Sequence, residues 1–378
     1  MTHTPTVAII GGGQLARMMA EPAAAMGIPL RLLAEAEGVS AAQVIVDHEV
    51  GDYRDLATLQ HVTKGCAVVT FDHEHVPTEH LHALEDKLAV RPGPEALVHA
   101  QDKGLMRRRL GEIGVPCPRN AMVSSVDDVV AFGLPCVVKV TRGGYDGKGV
   151  WFVREPADAT EAFATGAPVL AEELVDFRRE LSAIVARSPS GQIAAYPVVE
   201  TTQTDGICRE VIAPAPNLSE ELALEAERIA MTVAGELGVT GVMAVEMFET
   251  TDGRLLVNEL AMRPHNTGHW TQDGAVTSQF ENHLRAVLDL PLGAPQARAP
   301  WTVMVNILPV DGAAALYAGY RHALARDPRL RVHLYGKELR PGRKVGHVNA
   351  WGTDLDETLE RARHAAAWFA GELGDESE

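Results

Sequence analysis

The most restrictive feature of this 378-residue chain is how it opens. Residues 6–10 form a short apolar, β-branched run that ends in Gly11-Gly12-Gly13. A helical pattern follows at once over Gln14–Met26, with Leu15, Met18 and Met19 on one face, and a second apolar run occupies residues 30–33. Strand, glycine turn, helix and strand at this rhythm require a parallel sheet with crossover helices. Residues 44–46 and 67–70 read as further strands, and 83–88 and 94–110 as helices. Arg91-Pro92-Gly93-Pro94 punctuates the pattern, so a first domain is set at residues 1–98.

The same glycines fit G-x-G-x-x-G/A over residues 11–16, and two uses of that turn compete. In one it holds a dinucleotide, with Glu35 as the ribose-binding acid about 20 residues on, which would make the chain an oxidoreductase. In the other it is a tight turn that holds a substrate phosphate at a helix N-terminus. The segments downstream favour the second.

From Val115 the pattern changes. Pro116 and Pro118 break the helix, and short strands alternate with helices: Cys136–Val140, Val150–Val153, Val169–Glu173, then residues 181–186 and 193–199. A long helix over 219–237 precedes two strands at 241–248 and 254–260. This order predicts an α+β domain with antiparallel sheets over residues 99–293. Pro291, Gly293, Pro295 and Pro300 mark a connecting segment, and a small region over 294–378 begins with a strand at 301–308 and ends in a helix at 355–373.

A formal net charge of −17 argues against nucleic-acid or anionic-membrane partners, which it would repel, but leaves room for an anionic small molecule held by local cations. Cys66, Cys117, Cys136 and Cys208 show no CxxC spacing and read as thiols in a reducing compartment. No apolar stretch reaches the ~20 residues of a membrane span, and no basic segment precedes an apolar run at the start. A cytoplasmic protein is expected.

Four segments carry chemistry. Lys139 sits on a strand that leads into Arg142-Gly143-Gly144-Tyr145-Asp146-Gly147-Lys148-Gly149, a cationic glycine-rich loop able to cover a triphosphate, although it is no Walker A motif. Glu246 and Glu259 each lie in an apolar strand, where an unpaired carboxylate is costly; Mg²⁺ shared with phosphate oxygens would neutralise both. Outward-facing acids on an edge strand are the plain alternative. Arg263-Pro264-His265-Asn266 leaves the second of these strands as a donor-rich loop, with Arg263 suited to stabilising developing negative charge. Lys337, Arg340, Arg343 and Lys344 form a cationic cluster that suits a phosphate, and a solvated turn explains it equally well. No Ser-His-Asp or Cys-His arrangement stands out.

Taken in order, these segments resemble the ATP-grasp superfamily and, within it, the N5-carboxyaminoimidazole ribonucleotide synthetase family. The most specific stretches are GGYDGKG over residues 143–149, NELAMRPHNTGHW over 258–270 and RPGRKVGH over 340–347. The resemblance implies a Rossmann-like N-terminal domain, a central ATP-grasp domain and a small β-rich C-terminal domain, assembled as a homodimer. It implies ATP and Mg²⁺, with bicarbonate and aminoimidazole ribonucleotide as the other substrates, joined through carboxyphosphate. By the same resemblance, ATP would be held by Lys139, by Gly144, Tyr145, Asp146, Gly147, Lys148, Gly149 and Val150, by the hinge Glu172, Glu173, Leu174 and Val175, and by Glu180, Gln203, Asn258 and Glu259. Glu246 and Glu259 would bind the metal. Glu74, Tyr145, Asp146, Arg263, His265, Lys337 and Arg343 would form the ribonucleotide site, with Asp146 or His265 relaying the proton lost by the amine. His99 and Gln203 depart from the family's Arg and His, which leaves two peripheral ATP contacts in doubt. A transformylase using formate, or a nucleotide sensor without turnover, are the neighbouring alternatives.

Overall fold

The computed structural model describes residues 4–144, 148–310 and 316–373. Tyr145, Asp146 and Gly147 lie outside the described residues. Three sheets organise the chain. The first is parallel and five-stranded, built from β1 (Val7–Ile10), β2 (Leu30–Ala34), β3 (His48–Val50), β4 (Val68–Phe71) and β5 (Ala89–Val90) in the order β3-β2-β1-β4-β5. The order reverses between β1 and β4, so the loops after these two strands open onto one crevice, the place where such sheets bind ligands. Helix α1 (Gln14–Met26) follows β1 and stops at Gly27, whose left-handed φ of 66° lets its N–H reach back to the carbonyl oxygens of Ala23 and Ala24.

The strand expected at residues 44–46 is a turn. Val46 is 95% exposed and cannot be a buried strand residue; the sheet uses His48–Val50 instead. Between β3 and β5 run α2 (Leu56–Val62) and α3 (Thr78–Glu85), the latter five residues earlier at its start than the reading at 83–88. The helix expected over 94–110 is two, α4 (Pro94–Gln101) and α5 (Lys103–Glu112). Asp102 interrupts them in extended conformation (φ −132°) and caps α5 by accepting from the Leu105 N–H at 3.1 Å. That break sets Lys103 at the head of α5.

A four-stranded antiparallel sheet follows, β6 (Asn120–Val123), β7 (Cys136–Val140), β8 (Val150–Val153) and β9 (Val169–Glu173) in the order β6-β9-β7-β8. The remaining strands make one nine-stranded sheet: β10 (Phe177–Arg187), β11 (Ile193–Ala195), β12 (Val199–Thr204), β13 (Ile207–Ala213), β14 (Gly241–Thr250), β15 (Leu255–Ala261), β16 (Trp301–Ile307), β17 (Arg331–Leu334) and β18 (Gly346–Gly352). The single strand expected at 193–199 is therefore β11 and the start of β12, and β13 went unread. The C-terminal strands extend this sheet, since β16 pairs with β13. The parallel sheet and the large sheet share one continuous core, which runs from Ile10 and Phe71 through Met106 to Val245 and Val257 and buries each to within a few per cent, whereas the four-stranded sheet packs around its own core of Val123, Cys136, Val138, Val153 and Ala171. Among the described residues, no helix is long and apolar enough to cross a membrane.

Candidate active site

A cavity of about 1070 Å³ is lined by β7, β8 and β9 of the small sheet, by β10, β14 and β15 of the large one, by the loop after β4, and by the segment between β17 and β18. Its residues sort into a nucleotide end and a substrate end.

At the first end, β14 and β15 pair with Glu246 directly opposite Glu259. One register step further, Met247 faces Val257, so Asn258 is an extra residue on β15, a β-bulge. The bulge has a consequence for chemistry. Successive side chains of a regular strand alternate faces, yet Asn258 and Glu259 both line the cavity. Burial pushes the Glu246 carboxyl up to about 8, reinforced by Glu259 and Glu180 and only partly offset by Lys344 and Arg263. Burial also raises Glu180. Lys103 reaches Glu259 at 3.0 Å.

Opposite, Lys139 on β7 places its Nζ 2.7 Å from Glu172 and 3.2 Å from the Asn258 Oδ1. Glu172 is almost wholly buried between Lys139 and Arg107 of α5. Burial alone would raise its carboxyl, but those two cations hold it down to about 2. Glu173, Leu174, Val175, Gln203, Gly144 and Val150 line the same end. Lys148 and Gly149 form the turn that closes the loop onto β8.

Oxygen donors of this kind suit a hard divalent cation. Among the described residues no three His, Cys, Asp or Glu side chains converge tightly enough to cage an ion alone. Two acids and the Asn258 oxygen fit Mg²⁺, which keeps waters and phosphate oxygens in its shell, and a cation there would offset the burial and the neighbouring acids that disfavour the charged form of Glu246.

At the other end, Glu74 from the loop after β4 accepts from the Met262 N–H at 3.1 Å and from Arg263 Nε at 2.7 Å. His265 is fixed through Nδ1 by Thr267 Oγ1 at 2.9 Å, and its Nε2 stands 3.6 Å from Glu246. Burial, with Arg263 and Lys344 nearby, drives the His265 imidazole well below its usual range, so it is neutral at physiological pH. Lys337 bonds Gln14 at the head of α1, and Arg343 donates to the Glu338 carbonyl at 3.4 Å on the rim. Arg340 pairs with Glu338 at 2.6 Å and is not among the lining residues.

The glycine turn departs from both readings of it. Gly12 N–H donates to Glu35 at 2.9 Å, and Gly13 and Ala16 donate to the two oxygens of Asp72 at 3.1 and 2.8 Å. The acid that would hold a ribose, and most donors that would hold a phosphate, are satisfied within the chain, so the dinucleotide reading fails. Gln14 and Leu15 of the turn still line the cavity. His99 is not a lining residue and bonds the Ala96 carbonyl of its own helix at 3.3 Å, whereas Gln203 is a lining residue. Lys103, Arg107 and Asp72 were missed. Their signals, a helix-capping Asp102 and two ordinary-looking residues, carry no local mark of function.

Family models match the chain in three blocks: the ribonucleotide synthetase preATP-grasp domain over residues 4–101, the ATP-grasp domain over 108–280, and the phosphoribosylaminoimidazole carboxylase C-terminal domain over 302–361. The N5-carboxyaminoimidazole ribonucleotide synthase of Mycobacterium tuberculosis is 56% identical, covering 97% of this chain and 88% of its own length. That of Corynebacterium ammoniagenes is 49% identical, at 96% and 91%. Among solved structures, the Aspergillus clavatus N5-carboxyaminoimidazole synthase in complex with ADP and 5-aminoimidazole ribonucleotide superposes with a TM-score of 0.90 at 30% identity, covering 99% and 100% of the two chains. The Thermus thermophilus N5-carboxyaminoimidazole ribonucleotide synthetase gives 0.87 at 37% identity, covering 97% and 99%.

Proposed function

Because the chain belongs to the N5-carboxyaminoimidazole ribonucleotide synthase family, we propose a role for each side of the cavity in that family's reaction. The enzyme is an ATP-grasp ligase that carboxylates 5-aminoimidazole ribonucleotide with bicarbonate, driven by ATP, in purine biosynthesis. A bicarbonate oxygen attacks the γ-phosphorus and ADP leaves, giving carboxyphosphate. The exocyclic amine nitrogen then bonds to the carboxyl carbon as phosphate departs, and the amine loses a proton.

This chemistry uses no covalent protein nucleophile. It requires positioning, charge neutralisation and exclusion of water from a labile anhydride. Lys139, Lys103, the loop over 144–150 and the hinge over 172–175 hold ATP, with Glu180 and Gln203 beside them. Glu246, Glu259 and Asn258 would hold Mg²⁺, which would neutralise negative charge on the phosphates. Arg263, oriented by Glu74 at 2.7 Å, stabilises the carboxyphosphate. Lys337 and Arg343 take the ribonucleotide phosphate; Tyr145 and Asp146, which lie outside the described residues, are assigned to the same ribonucleotide site by the family resemblance alone. His265 or Asp146 relays the proton lost by the amine.

The observation that carries this reading is the pairing of Glu246 with Glu259 in one cavity with Lys139, which reaches the side chain of the neighbouring Asn258. ADP release should require bicarbonate and aminoimidazole ribonucleotide together; turnover with formate in place of bicarbonate, or none with either, refutes it. We further place the enzyme in the cytoplasm as a homodimer, the assembly that sedimentation would show as twice the chain mass.

A further inference from the structure

The bulge on β15 creates a problem that a single buried side chain solves. Inserting Asn258 removes the ladder partners of the local carbonyl groups, and buried carbonyls without partners are costly. The Val257 N–H has already left the ladder for the Pro116 carbonyl at 2.8 Å. Arg107, whose side chain is 1% exposed, supplies what is missing. Its Nη1 donates to the Val257 carbonyl at 2.9 Å and its Nη2 to the Asn258 carbonyl at 2.7 Å, while Nε donates to Glu172. Glu172 in turn takes Lys139, and Lys139 reaches back to the Asn258 side chain at 3.2 Å. The chain of contacts closes on itself: Arg107, Glu172, Lys139, Asn258 and again Arg107.

We infer that Arg107 is a positioning residue for metal binding, the clamp that keeps β15 bulged so that consecutive Asn258 and Glu259 side chains both face the nucleotide. This rests on the reading of Glu246, Glu259 and Asn258 as the Mg²⁺ site. A planar guanidinium has donors on three nitrogens in a fixed fork, which is what two neighbouring carbonyls and a carboxylate on another strand require. An ammonium in the same place keeps the charge beside Glu172 but cannot span the carbonyl pair. Without the clamp the strand relaxes toward regular alternation, and Asn258 or Glu259 turns from the cavity.

The test is ADP binding by calorimetry to the full-length protein, with Mg²⁺ and with chelator, for wild type and Arg107→Lys. Wild type should bind ADP more tightly with Mg²⁺. In Arg107→Lys the affinity in chelator should stay within about twofold of wild type, while the gain from Mg²⁺ falls by about tenfold or more, the usual loss when a residue supporting a metal ligand is replaced. The KM for aminoimidazole ribonucleotide should not move. An undiminished gain in the folded variant overturns the inference, as does a proportional fall in metal-free and metal-bound affinity, which would signal general loosening. Arg107→Gln, which retains a fork-end donor without charge, is the second variant. If neither variant melts cooperatively, Arg107 serves the core and the inference falls. A wild type with no gain from Mg²⁺ would instead overturn the reading of the acids, and this inference with it.

Discussion

Replacing Glu246 by Gln should make the ligand-free protein more stable and the enzyme inactive. The carboxyl lies at about 8 in the folded protein instead of the ordinary 4.5. A raised carboxyl binds its proton more tightly when folded, so its contribution to stability is present in full below the unfolded value and is lost as pH rises through the folded one. Fully charging such a group costs about 5 kcal/mol, at ~1.4 kcal/mol per pH unit. The side chain retains 27% exposure toward the cavity, and discounting for that screening by about half leaves roughly 2 kcal/mol at pH 8.5 and under ~1 kcal/mol at pH 5.5. Glu246→Gln removes the charge while keeping the shape. With an unfolding entropy of ~2.1 cal/mol/K per residue, it should raise the melting temperature by about 2–3 °C at pH 8.5 in chelator, and by under ~1 °C at pH 5.5. Differential scanning calorimetry at the two pH values reads this directly. A melting temperature that falls at pH 8.5, or rises equally at both, refutes the claim that Glu246 stores electrostatic strain for a cation to relieve.

Two further substitutions test how the frame holds the site. A Cβ on Gly13 would stand 2.1 Å from the Asp72 Oδ2, so Gly13→Ala should cost about 2 kcal/mol in urea unfolding by displacing the carboxylate that caps α1; an unchanged midpoint would show that Asp72 is not held there. Asn306 and Asn266 exchange amide bonds of 2.7 and 3.1 Å, tying β16 to the loop that carries His265. Asn306→Leu orphans both Asn266 and the Cys208 carbonyl, and should lose about 3 kcal/mol of stability and raise the KM for aminoimidazole ribonucleotide more than it lowers kcat; equal KM values would place the loop's support elsewhere.

Much of this molecule was legible in its sequence because short-range rules govern it. The β-branched run before Gly11, the helical period after it, and the apolar strands around Glu246 and Glu259 are set by neighbours a few residues apart. From these follow the parallel sheet, the antiparallel domain and the placing of two acids on adjoining strands. Tertiary structure alone decided which groups answer which. The helix donors of the glycine turn look like a phosphate site until Asp72, 59 residues from Gly13, is seen to fill them. Glu172 lies in the segment read as a nucleotide hinge, and only the fold encloses its carboxylate between Arg107 and Lys139. The bulge that turns both Asn258 and Glu259 inward is held by an arginine 151 residues away. Periodicity records which face a residue presents, but the charge balance of a buried site and the register of a bulged strand depend on contacts between distant segments, which leave no periodic trace in the chain.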